Sequence, residues 1–273
     1  YIRKFLDSLV AQDWPKDQLE ILIADGMSED GTRQIIKNYQ AKYPYIQLLD
    51  NPKKYTPSAL NIGIKASKGS IIIRLDSHAK YENDYIAKCI AALEEHHADN
   101  VGGTMKTVPA KDTLLAKAVT LCMSHGFGVG NSQFRRSGNQ ENQKPREVDT
   151  VFGGCFKREV FDRVGFFNEK LRRSQDMEFN LRLKRAGGKI VLVPDIVSYY
   201  YPKSTFKEFF MHNLKDGEWA ILPFKFTGRL FKPRHYIPGF AIFLFCSLSI
   251  YSFWSRIPLF VLLGLIGLYV ILT

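Results

Sequence analysis

The run SIIIRLDSHAK, Ser70–Lys80, sets three consecutive isoleucines and a leucine immediately before a carboxylate and a histidine. Ile71, Ile72, Ile73 and Leu75 predict an interior strand covered on both faces. Asp76 and His78 then stand at its carboxyl end. Ligands of open α/β sheets bind in the crevice beyond the carboxyl ends of the strands. In an extended conformation residues i and i+2 point to the same side, which would aim the Asp76 carboxylate and the His78 imidazole at one ligand. A hard oxygen donor beside an imidazole suits Mn²⁺ or Mg²⁺ bridged to a diphosphate. The spacing leaves a second reading open, in which Asp76 caps a turn and His78 is a solvated loop residue.

Upstream, Ile2, Phe5, Leu6 and Leu9 recur at helical spacing until Trp14-Pro15, and LEILIAD, Leu19–Asp25, reads as a strand running into the turn-rich GMSEDGT. A helix follows from Thr32 to about Tyr43, then a second strand, Ile46–Asp50. Thr56 is the expected N-cap, with Pro57 at the first position, of a helix over Pro57–Ala66. Helix and strand alternate up to the isoleucine run, the pattern of a parallel sheet flanked by helices. The fold class expected is therefore α/β, with a nucleotide-binding type of first half.

Downstream, Tyr85, Ile86, Cys89, Ile90 and Leu93 mark an amphipathic helix, NVGGTMKTVP a strand, and DTLLAKAVTLCMS a further helix. Gly126–Val148 is glycine-rich, polar and basic, and so long a loop reads either as a cover over a substrate, the reading favoured, or as a disordered segment. DTVFGGCFKREVFDRVGFFNE, Asp149–Glu169, predicts a strand, then a Gly153-Gly154 turn, then a short helix, the paired glycines serving either a close approach to another molecule or a plain turn. Ser174 is a candidate N-cap for a helix bearing Phe179 and Leu183 and stopped by Gly187-Gly188. Asp176 lies in its first turn, where the helix dipole favours the ionised carboxylate, a suitable group to take a proton from a hydroxyl. Glu178 is either a capping partner or a surface charge.

From Ile237 the sequence changes character. Ile237–Trp254 and Ile257–Thr273 contain no charged residue, and their lengths predict a transmembrane helical hairpin, the other readings being a bent or re-entrant segment, since Pro238 and Pro258 open the two runs, and a pair of buried core helices. Lys225, Arg229, Lys232, Arg234 and His235 precede it, which predicts that the globular part faces the cytoplasm. The expected organisation is a catalytic domain over 1–222, a basic linker over 223–236 and the hairpin over 237–273. A formal net charge of +11 suits an anionic substrate and acidic lipids. No basic helix with interleaved aromatics and no zinc-knuckle spacing is present, which speaks against nucleic acid. Cys89, Cys122, Cys155 and Cys246 are widely spaced, as reduced thiols are. The chain starts without Met inside a helical pattern and ends inside an apolar run, so further residues are expected at both ends.

Four stretches taken together, IADGMSEDGT, TPSALNIGIKASKGSIIIRLDSHA, VFGGCFKREVFDRVGFFNE and QDMEFNLRLKRAGGKI, resemble the family 2 glycosyltransferases of GT-A fold. The resemblance covers nearly all of Tyr1–Leu222 and is closest to the bacterial succinoglycan-biosynthesis type, whose metal motif reads DxH. It implies Asp25 in the nucleotide pocket, Asp76 at the ribose or metal, and His78 at the metal and diphosphate. It also implies Gly153 and Gly154 at the border of the sugar and acceptor pocket, and Asp176 as catalytic base. Three departures stand out. The family's first strand would precede Tyr1, Gln175 replaces the first carboxylate of the usual acidic pair, and the QxxRW signature of processive synthases is missing, which favours addition of a single sugar.

The implied activity is inverting transfer of a sugar from a nucleotide-diphospho-sugar to a saccharide acceptor, lipid-linked and at the cytoplasmic membrane, in cell-surface polysaccharide synthesis. Mn²⁺ or Mg²⁺ would stabilise the leaving diphosphate. The competing readings are a nucleotidyltransferase of similar layout and a membrane-anchored protein that binds nucleotide-sugars without catalysis.

Overall fold

Helix α1 (Ile2–Val10) buries Phe5, Leu6 and Leu9, the apolar side of its helical repeat. Strands β1 (Ile21–Asp25) and β2 (Ile46–Asp50) pair in parallel, with Ile21 beside Ile46 and Asp25 beside Asp50, joined by α2 (Thr32–Lys42). Helix α3 (Thr56–Ala66) begins with Thr56 itself, so Tyr55 takes the capping position and no side chain caps the helix. Tyr55 has no short side-chain oxygen to reach the first-turn amides, and Pro57 has no N–H to be capped. The computed structural model describes residues 2–125, 132–135, 143–202, 205–227, 237–255, 260–261, 263–265 and 267.

The isoleucine run forms β3 (Ile71–Ile73), a half-buried strand at the end of the sheet order and not in its interior. After it come β4 (Ala79–Tyr81), α4 (Tyr85–Glu95), β5 (Asn100–Thr107), α5 (Leu114–Ser124), β6 (Arg146–Glu147) and β7 (Cys155–Lys157). Helices α6 (Glu159–Val164) and α7 (Gln175–Arg185) precede the long strand β8 (Ile190–Tyr200).

The second sheet has six strands in the order β3-β7-β5-β8-β4, with β6 paired to β8. Here the expectation of a mainly parallel sheet is corrected. β5 and β8 run parallel, whereas β3–β7, β5–β7, β4–β8 and β6–β8 are antiparallel. Helix and strand alternation reports crossovers, which parallel pairing requires, but the short strands β4 and β6 pair antiparallel with β8 at the margins, and β7 inserts between β3 and β5 antiparallel to both. β-branched composition likewise reports burial of a pleated surface and not a strand's place in the order.

Two apolar clusters hold these layers. One gathers α1, β1, β2 and α4 through Leu6, Ile21, Ile46 and Leu93. The other packs α6 and α7 on the opposite side of β7 through Phe156, Phe161, Phe167 and Phe179, with the last two rings stacked 4.5 Å apart.

The chain divides into two compact units, Tyr1–Phe209 and Phe210–Thr273. Helix α8 (Phe206–Thr227) starts in the first, and the second contains α9 (Ile237–Tyr251). The predicted transmembrane hairpin is contradicted, because among the described residues no helix is long and apolar enough to cross a membrane. α9 is chargeless but ends at Tyr251 in a turn through Trp254 after 15 residues, about 22 Å of rise against a hydrocarbon core of about 30 Å. An unbroken apolar sequence fixes composition, not the length of continuous helix. Most of the Ile257–Thr273 run, the basic stretch over 228–236 and most of the Gly126–Val148 stretch lie outside the described residues.

Candidate active site

Strand β3 stops at Ile73, and the chain leaves it through Arg74, Leu75 and Asp76. Asp76, Ser77 and His78 are not extended, as expected from the sequence, but form a turn closed by the Ala79 amide on the Asp76 carbonyl at 3.0 Å. The Tyr81 hydroxyl accepts from the Asp76 amide at 2.6 Å, which pins the turn to the core. Because the backbone bends here, i and i+2 alternation no longer aims Asp76 and His78 together. They are neighbours through a turn, with the His78 Nδ1 3.4 Å from the Ser77 hydroxyl.

The double glycine lies directly against this strand end. The Arg74 amide donates to the Gly154 carbonyl at 2.9 Å. Gly153 and Gly154 have φ of +68° and +107°, and a Cβ on Gly153 would sit 2.8 Å from the Arg74 carbonyl oxygen. Only glycine accepts both the left-handed backbone and the close approach. Their immediate role is thus to seat the RLD segment.

Asp176 arrives from the first turn of α7. Ser174 precedes it in a left-handed conformation, φ +59°, and its side chain makes no capping bond, so the expected cap is replaced by a strained turn. The helix is anchored one turn further on: Asn180 accepts from Asn100 and donates to the Thr150 hydroxyl, both at 2.9 Å. Glu178 is neither cap nor free surface charge. It holds Arg182 through two oxygens at 2.8 and 3.0 Å, and Arg182 in turn binds the carbonyls of Val164 and Phe166.

Arg74 joins these elements. Its guanidinium lies 3.9 Å from the Asp76 carboxylate and 3.8 Å from that of Asp176, and is 12% exposed where each aspartate side chain is 40% exposed. A near-buried cation therefore sits beneath two accessible carboxylates contributed by segments a hundred residues apart. Sequence reasoning missed Arg74, Tyr81 and the Asn100–Asn180 pair. A charge closing an isoleucine run was the one available signal, since burying it demands a partner.

Asp25 belongs to another network. Its buried carboxylate accepts from the Ser28 amide and hydroxyl at 2.8 and 2.7 Å and from Arg33 at 3.0 Å, and Arg33 also reaches Asp50 at 2.5 Å. Burial acts to raise its pKa, but the bonds from Ser28 and Arg33 outweigh it and hold the group below the usual carboxylate value. A groove of about 670 Å³ lined by Arg33, Lys37, Leu48 and Asp50 borders this network and touches none of the residues around Arg74. The groove and the Arg74 cluster are therefore separate places.

Among the described residues no three His, Cys, Asp or Glu side chains converge as a metal cage. Asp76 and His78 supply an accessible carboxylate and an imidazole on one turn. That donor set fits Mg²⁺ or Mn²⁺, which take few protein ligands and complete their shell with water and substrate phosphates.

The family model described as Glycosyl transferase family 2 matches residues 1–165. A dolichyl N-acetyl-α-D-glucosaminyl phosphate 3-β-D-2,3-diacetamido-2,3-dideoxy-β-D-glucuronosyltransferase of Methanococcus voltae is 31% identical over 225 residues, 80% of this chain and 68% of that protein. The succinoglycan biosynthesis protein ExoA of Rhizobium meliloti is 29% identical over 186 residues, 67% of this chain and 54% of that protein. The chain thus spans about half to two thirds of the length of these relatives. Among solved structures, a Pyrobaculum calidifontis mannosyltransferase in complex with GDP-Man and Mn²⁺ superposes over 100% of this chain and 76% of its own, with a TM-score of 0.67 at 19% identity. Staphylococcus aureus TarS with UDP-GlcNAc superposes over 75% of this chain and 56% of its own, with a TM-score of 0.56 at 20% identity. These two likenesses establish the GT-A type of α/β fold.

Proposed function

The chain belongs to glycosyl transferase family 2, and we propose that it transfers a sugar, with inversion, from a nucleotide-diphospho-sugar to a saccharide acceptor. The observation that carries this reading is the convergence of Asp76 and Asp176 on one guanidinium, two accessible carboxylates to which this reading gives the donor side and the acceptor side. Asp176, 40% exposed on a helix first turn, takes the proton of the acceptor hydroxyl. The hydroxyl oxygen forms the new bond to the anomeric carbon as the bond from that carbon to the diphosphate oxygen breaks. The nucleoside diphosphate leaves with the electron pair. Asp76 and His78 are the residues that would hold Mn²⁺ or Mg²⁺, whose chemistry is to neutralise charge on the leaving diphosphate.

The acceptor we propose is lipid-linked, in synthesis of a cell-surface polysaccharide, with the enzyme working at the cytoplasmic face of a membrane. Supporting this are the net charge of +11 and the exposed side chains of Phe206, Phe210 and Leu214, spaced four apart along α8. The name of the Methanococcus voltae relative, a transferase acting on a dolichyl-linked sugar phosphate, supports it too.

The test is calorimetric titration of UDP and of GDP, with and without Mn²⁺, into the protein and its Asp76→Ala variant. Metal-dependent binding of one nucleotide that the variant loses is the expected result. Failure of both nucleotides to bind under either condition would refute the reading.

A further inference from the structure

Arg74 has no role in the reaction as written above, yet it is the most buried charge in the site. Its main chain is fixed by the Gly154 carbonyl on one side and the close approach of Gly153 on the other. Its side chain is 12% exposed, and Asp76 and Asp176 are the acidic groups within ion-pair reach of it among the described residues. A desolvated guanidinium is costly unless it is paired, so the two carboxylates are what keep it there. Two features suit it to bridging. The planar, forked head presents nitrogens to two groups at once, where a lysine ammonium is a point charge. Both separations, 3.8 and 3.9 Å, exceed hydrogen-bond length, so Arg74 attracts each carboxylate without occupying its lone pairs.

We propose that Arg74 is a positioning residue that keeps Asp176 in register with Asp76, so that the base on α7 and the donor-binding strand end share one geometry. It acts through Asp176 and does not itself move a proton. α7 is separately tethered through Asn180, which leaves Arg74 to set the last few ångströms at the carboxylate. The inference rests on the proposed glycosyl transfer, with Asp176 as base.

The experiment compares wild type, Arg74→Met and Asp176→Asn in two readouts: turnover, as release of UDP from UDP-GlcNAc or of GDP from GDP-Man according to which nucleotide calorimetry shows to bind, and Mn²⁺ affinity by electron paramagnetic resonance without donor. Misplacing a catalytic group by about 1 Å costs on the order of 10²-fold, so kcat of Arg74→Met is expected to fall by about 10- to 10²-fold. Its Mn²⁺ affinity is expected to hold or tighten, because a cation 3.9 Å from the Asp76 carboxylate has been removed. Should Arg74→Met not fold, Arg74→Lys carries the same two readouts with the charge kept and the fork lost. Unchanged kcat, or joint loss of kcat and Mn²⁺ binding, overturns the proposal. Undiminished turnover in Asp176→Asn removes the base, and the proposal with it. An inactive Asp176→Asn beside a fully active Arg74→Met refutes the role of Arg74 alone.

Discussion

Tyr81 holds Asp76 by its backbone: the Asp76 amide donates to the Tyr81 hydroxyl at 2.6 Å, across a turn that also contains His78. The tyrosine is 1% exposed, edge-on to Tyr85 with ring centroids 4.7 Å apart, so the candidate metal ligand is tied to the deepest part of the core.

Tyr81→Phe leaves that amide without its acceptor and is expected to cost about 1–3 kcal/mol in urea unfolding. Burial also raises the Tyr81 hydroxyl well above its ordinary value. The folded state then binds this proton more tightly than the unfolded state, so the contribution is complete below about pH 10 and is lost as pH rises beyond it. Melting curves at rising alkaline pH should fall less steeply for Tyr81→Phe than for wild type.

The Asp25 carboxyl, lowered by its bonds from Ser28 and Arg33 against the opposing effect of burial, gives the reverse dependence. Its contribution is complete above about pH 4 and is lost as pH falls through the lowered native value. Asp25→Asn should be less stable at neutral pH by about 1–3 kcal/mol and should show a flatter acid limb. Chemical denaturation from pH 7 down to pH 3 measures both.

Gly153→Ala meets two penalties, φ of +68° and a Cβ 2.8 Å from the Arg74 carbonyl oxygen. Gly31→Ala meets one, since φ is +84° with nothing within 4 Å of the added carbon. Left-handed strain alone costs about 1–2 kcal/mol, so Gly31→Ala should lose about that much and Gly153→Ala distinctly more. Equal losses in equilibrium unfolding would show that the contact with Arg74 carries no weight.

Asp176→Asn keeps the shape of the α7 first turn and removes the proton acceptor. Turnover is expected to drop by about 10²–10⁴-fold with calorimetric donor affinity within a few-fold of wild type. Loss of donor affinity instead would move Asp176 from the acceptor side to the nucleotide.

The sequence by itself determined α1 to α4 and the strands β1 and β2, because 3.6- and 2-residue apolar periods are local properties of the chain, but not β4, whose three residues are too few to show a period. It also singled out Asp76 and Asp176 by their place after a strand and at the start of a helix. Strand order and direction were decided by tertiary structure, since β3, β4 and β7 choose partners far away in sequence and mainly antiparallel to themselves. So was the length of continuous helix in the apolar tail, where α9 stops at Tyr251 although the apolar run continues. The partnership of Arg74 with both aspartates needed the same information: one ion pair is two residues apart, but the other joins positions 74 and 176, and no local pattern encodes which distant carboxylate a buried cation will meet.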